Sequence, residues 1–98
     1  MFIHFVITVY LRVRVPGEQL SYVFTGTIPP FEPIYTLNVT PDAPALEKQF
    51  TYLKVEYTNP VSPVVVTFDP RTFILKIHQK FPFFSLDIGV HGYSMPLN

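Results

Sequence analysis

From residue 3 to residue 15 every odd position is apolar: Ile3, Phe5, Ile7, Val9, Leu11, Val13 and Val15. Side chains on a strand alternate faces with a period of two, so these groups share one face, whereas a helix would scatter them round its surface. The run is also rich in β-branched residues, which suit a pleated surface. The even positions begin largely apolar, with Phe2 and Val6 beside His4, and end charged at Arg12 and Arg14. The pattern reads as one long strand, covered on both faces near its start and on one face near its end. At ~3.3 Å per residue it would run roughly 43 Å, well past the usual strand of about 5–6 residues. Such a strand either bends to serve two sheets or extends beyond its own domain to pair elsewhere.

The rest of the chain is punctuated by proline. Val15-Pro16-Gly17-Glu18 has the Pro and Gly placement of a type II turn. Leu20, Tyr22, Phe24 and Ile28 then form one face of a second strand, with Gly26 in that row marking a bulge or a close backbone approach. Pro29, Pro30 and Pro33 end the pairing, because proline has no N–H to give, and predict an extended crossover with Phe31 as its anchor. Tyr35, Leu37 and Val39 make a third strand. Thr40-Pro41 resembles a helix start, but Pro44 follows so soon that a loop with one helical turn reads equally well. A fourth strand over 50–58 turns Leu53, Val55 and Tyr57 inward. Residues 64–68 are nearly all apolar and predict a central strand covered on both faces. Asp69-Pro70-Arg71-Thr72 is a turn signal joining that strand to a sixth through Phe73, Leu75 and Ile77. The last strand puts Phe84, Leu86, Ile88 and Val90 on one face, and residues 92–98 read as a tail.

These elements predict an all-β domain over residues 1–98: an antiparallel β-sandwich of about seven strands and immunoglobulin-like size, with a jelly roll or small barrel as the alternative. With neither cysteine nor tryptophan present, the architecture implies no family. The expected core is Ile7, Val9, Leu11, Val66, Leu75, Ile77, Leu86 and Ile88.

Charge narrows the function. Only 14% of residues are charged, against about 25% in ordinary domains, and seven basic residues balance seven acidic ones. A nucleic-acid binder carries a basic excess that this chain lacks. A domain of this size has much surface to cover, so 48% hydrophobic residues and a zero net charge point to apolar surface covered by another chain. The run 2–11 is too short to cross a bilayer as a helix, which needs ~20 apolar residues, and it has neither the basic start nor the cleavage site of a signal peptide.

No catalytic constellation emerges. His4, His78 and His91 could ligate a metal only if topology brought them together, since no short His–His spacing does so locally and a zinc site draws on about three or four ligands. Asp87 and His91 share a face with Ser85 but lie four residues apart, about 13 Å along a strand, too far for a relay. There is no nucleophile elbow and no phosphate-cradling glycine loop. Asn38-Val39-Thr40 is a glycosylation sequon, meaningful only in a secreted chain. No catalytic residue, metal or cofactor is therefore expected.

The ten phenylalanines and six tyrosines exceed what such a core needs, and Phe81, Phe83 and Phe84 flank Pro82 in a way that alternation cannot turn inward. Buried interface centres are enriched in aromatic residues. The expected interface is therefore Phe2, Ile3, Phe5, Val6, Phe81, Phe83 and Phe84. The sequence reads as a non-catalytic structural subunit, a homo-oligomer or part of a larger assembly such as a viral coat, cement or minor capsid layer. The alternatives are an extracellular adhesion or recognition module and, behind it, a small ligand-binding barrel or enzyme. A virion or extracellular setting is expected ahead of a cytoplasmic one.

Overall fold

The computed structural model describes residues 4–12, 14, 16–58 and 64–97. They form seven strands: β1 (His4–Leu11), β2 (Gln19–Ile28), β3 (Ile34–Asn38), β4 (Tyr52–Thr58), β5 (Val64–Asp69), β6 (Ile74–Gln79) and β7 (Leu86–Ser94). Two antiparallel sheets result, a four-stranded one in the order β1-β4-β7-β2 and a three-stranded one in the order β3-β6-β5. The chain is an all-β sandwich.

Register explains the core. Partners across an antiparallel ladder share a face, so the inner side of the larger sheet is built in rows. One row is Ile7, Val55, Val90 and Phe24; the next is Tyr10, Leu53, Gly92 and Tyr22. The smaller sheet answers with Tyr35, Ile77 and Val66, then Leu37, Leu75 and Phe68. Leu53, Val55, Leu75, Ile77, Leu86, Ile88 and Val90 are buried between the two layers. Across the interior the Tyr10 ring meets Phe68 edge-on at 5.6 Å, which places β1 over β5. Phe50, Phe68 and Phe73 close a triangle of edge-to-face rings with centroids 6.0–6.4 Å apart.

Several expectations need correction. The first strand stops at Leu11, and its pairing with β4 shifts between Thr8 and Tyr10. That bulge swaps the faces: Ile7 points inward, but past it Tyr10 takes the core position and Leu11 is 56% exposed. Ile7, Val9 and Val66 are half-buried rather than fully buried. A second bulge between Leu20 and Tyr22 turns Leu20 outward and Ser21 inward, where the Ser21 hydroxyl meets that of Ser94 at 2.8 Å. Gly26 is neither a bulge nor a close backbone approach: it pairs in register with Ile88, and the atom a Cβ would meet, at 2.9 Å, is the tip of the Phe24 ring. β5 is an edge strand with Val65 exposed, not a central one. Its apolar run covers one face only.

The loop before β4 is irregular and has no helix. It is tied to the C-terminal segment instead: the amides of Glu47 and Leu97 donate to the carbonyls of Met95 and Ala45. The expected tail is thus β7 as far as Ser94, followed by this pairing. Val15 of the first turn signal lies outside the described residues, and at the second Phe73 belongs to the turn rather than to its strand, which begins at Ile74. Gly17 has φ 92°, as position i+2 of a type II turn requires. Residues 70–73 connect the adjacent strands β5 and β6, with the Phe73 amide donating to the Asp69 carbonyl at 2.8 Å.

Candidate interaction surface

The register also fixes which loops share an end of the sandwich. Ile28 pairs with Leu86 and Ile34 with His78, so linker 29–33 (β2 to β3) and linker 80–85 (β6 to β7) leave the two sheets side by side. Both carry proline and phenylalanine. The Phe31 amide donates to the Pro82 carbonyl, which fastens one linker to the other. On that link three rings assemble: Phe31 against Phe83 edge-on at 6.4 Å, and Phe81 stacked on Phe83 at 6.4 Å with 9° between the planes. Lys80 Nζ stands 5.5 Å from the Phe81 centroid, within cation–π range.

None of this cluster is core. Phe31 is 71% exposed, Phe81 50%, Phe83 58% and Phe84 59%. Phe31 does not anchor its crossover on the interior, as its sequence context suggested; it stands outward beside Phe83. Its backbone makes the point sharper. Phe31 has φ 66° and Phe73 φ 60°, a left-handed conformation that costs a bulky residue of order 1–3 kcal/mol. For Phe73 the ring triangle with Phe50 and Phe68 offsets that cost. The Phe31 ring recovers little by burial, so its strained backbone holds an apolar group out in water.

β1 begins at the same end, since His4 pairs with Thr58 and Tyr57 with Ile88 near the start of β7. Val6 is exposed on the outer face, and Phe5 lies inward, stacked on Tyr57 at 5.3 Å with its outer part exposed. β4 lies between β1 and β7, so β1 runs about 10 Å across the sheet from the strand that the Phe81–Phe84 segment leads into. Of the expected interface, Phe5, Val6, Phe81, Phe83 and Phe84 therefore share one end as two neighbouring patches, while Phe2 and Ile3 lie outside the described residues. Phe31 is the member that sequence reasoning missed. Nothing near it in the chain signals the role, because its ring partners arrive from the β6–β7 linker.

His78 lies on the outer face of the smaller sheet between Ile34 and Val65, and His91 on the outer face of the larger one between Lys54 and Val23, so the sandwich separates them. Among the described residues no group of three His, Asp or Glu side chains is placed to hold a metal. Asp87 accepts a hydrogen bond from Thr27 at 2.6 Å rather than from a histidine. Among the described residues no helix is long and apolar enough to cross a membrane. Comparison with family models, curated proteins and solved structures gives no match.

Proposed function

We propose that this chain is a non-catalytic structural subunit that associates through its aromatic end, and that the partner at that end is a second copy. The observation that carries the reading is the Phe31–Phe83–Phe81 cluster, solvent-facing and propped by a strained backbone. At roughly 200 Å² per phenylalanine, the exposed parts of Phe31, Phe81, Phe83 and Phe84 present on the order of 500 Å² per copy. Two copies face to face would bury about 1,000 Å² of apolar surface, the lower bound for a specific interface before rim atoms are counted. The charges of the two linkers favour a like partner. Glu32 and Lys80 flank the rings, one of each sign, and a two-fold axis would set each against the other in the facing copy. An anionic bilayer would repel Glu32. The coat or cement role belongs to this reading as its most specific form, supported by composition.

Sedimentation equilibrium of the purified chain tests it. The expected mass is twice 11.3 kDa, falling to the monomer for Phe83→Asp. Lys80→Glu and Glu32→Lys should each weaken the dimer and together restore it. A monomer at high concentration, indifferent to these changes, overturns the reading.

A second reading has its own observation. Asn38, last residue of β3, is exposed, and its Oδ1 accepts from Thr40 Oγ1 at 2.6 Å. A glycan on Asn38 in secreted material would favour an extracellular recognition module.

A further inference from the structure

The opposite end of the sandwich holds a different feature. Where β1 and β5 finish, a cavity of about 600 Å³ opens between the sheets. Its floor is aromatic, formed by Tyr10, Phe68 and Phe73. Its rim is cationic, formed by Arg12, Lys48 and Arg71, and among the described residues no carboxylate lines it. In a chain whose charges balance overall, three of the seven basic residues converge on one mouth.

The parts are held by local structure. Arg12 donates to Gln49 Oε1 at 2.9 Å, which fixes its guanidinium at the rim. The Arg12 amide also donates to the Thr51 carbonyl at 3.0 Å, which ties this residue to the segment just before β4. Arg71 projects from the β5–β6 turn with its side chain 92% exposed, and its contact with Asp69 is a loose 3.9 Å pair in water. Asp69 itself is occupied by the Arg71 amide at 2.9 Å. The Phe73 ring is held in the floor by its edge-to-face contacts with Phe50 and Phe68, which offset the cost of its left-handed backbone.

From this juxtaposition we infer a binding site for a small organic anion with a flat apolar body, an aryl phosphate in its simplest form. The volume lies within the range of ligand pockets, about 300–1,000 Å³. The ring of such a ligand stacks on Phe68 and Phe73, and its anionic group meets two guanidiniums and an ammonium. Arginine forks match phosphate oxygens two at a time, which favours a dianionic phosphate over a single carboxylate. The site is independent of the aromatic end and of the assembly reading.

Titration of the purified chain with phenyl phosphate, followed by calorimetry and by the ring NMR signals of Phe68 and Phe73, provides the test. Phenyl phosphate should bind at least about tenfold more tightly than inorganic phosphate or phenol, because each of those lacks half of the recognition. Benzoate should be weaker than phenyl phosphate. Arg71→Gln and Lys48→Gln, both at exposed positions, should each lower affinity about tenfold, while Lys76→Gln, the same charge change on the outer face of the smaller sheet, should not. Equal binding of all the probes, or affinity that survives loss of both Lys48 and Arg71, overturns the assignment. So does a shift confined to Phe31, Phe83 and their neighbours.

Discussion

Two glycines show how much a single missing Cβ carries in this fold. At Gly92 a methyl group would lie 2.2 Å from Phe50 Cε1, because the Phe50 ring lies directly on the strand. Phe50 is 2% exposed and locked against Phe68 and Phe73, so it has nowhere to go. Gly92→Ala should cost about 1–3 kcal/mol or more, read as a lower urea midpoint. At Gly26 the intruding atom is the tip of Phe24, a half-buried ring at 2.9 Å that can swing aside. Gly26→Ala should cost clearly less, and equal losses would mean that Phe50 is not clamped. Asp69 supplies a residue-scale pH effect. The Arg71 amide, which donates to its Oδ1 at 2.9 Å, holds the carboxyl below its ordinary value, with Thr72 adding to the effect. The unfolded chain then takes up a proton there more readily than the folded one. The contribution of this carboxylate is complete above about pH 4 and is lost as pH falls through the lowered folded value. Asp69→Asn should therefore flatten part of the fall in melting temperature between about pH 6 and about pH 3.

Elements were legible where period two held without interruption. Leu53, Val55 and Tyr57 in β4 and Leu75 and Ile77 in β6 face inward as their alternation requires, and the proline turn between β5 and β6 joins neighbours. β1 shows why the rest was hidden. Its odd residues alternate perfectly, yet a bulge near Val9 adds one residue against β4, and every position beyond it changes face. A bulge leaves no mark in a hydrophobic pattern, so Leu11 looked like core and Tyr10 did not. β5 misled for another reason: an edge strand over a well-filled interior can be as apolar as a central one. The Phe81–Phe84 segment was legible because three rings around one proline cannot all turn inward, whereas Phe31 needed the crossover topology. A matched pair of variants measures the bulge. Leu75→Ala, at 0% exposure, should cost ~2–5 kcal/mol. Leu11→Ala should stay within about 0.5 kcal/mol, although the sequence pattern ranks the two alike. A large loss at Leu11 would place it back in the core and remove the bulge.

On the scale of the whole molecule, 47 Å along its longest axis, polarity is distributed end to end. Phe31, Phe81, Phe83 and Phe84 occupy one end, whose two linkers carry only Glu32 and Lys80 as charges, while Arg12, Arg14, Glu18, Asp42, Glu47, Lys48 and Arg71 lie in the connections at the other. The buried core does not depend on the exposed rings, so Phe83→Asp should leave the unfolding free energy within about 0.5 kcal/mol of wild type while abolishing the proposed dimer. The character of the contact predicts how the dimer responds to conditions. If the rings hold it, association is driven by release of water from apolar surface, which weakens on cooling and strengthens in sulfate. Sodium chloride near 0.15 M screens only the Glu32–Lys80 pairs at the rim and should matter little, because exposed ion pairs contribute about 0–1 kcal/mol each. Sedimentation equilibrium should therefore show a tighter dimer at about 25 °C than near 4 °C, and tighter still with added sulfate. A dimer that tightens on cooling and falls apart in moderate sodium chloride would be held by its charges, and the aromatic cluster would have to be assigned another purpose.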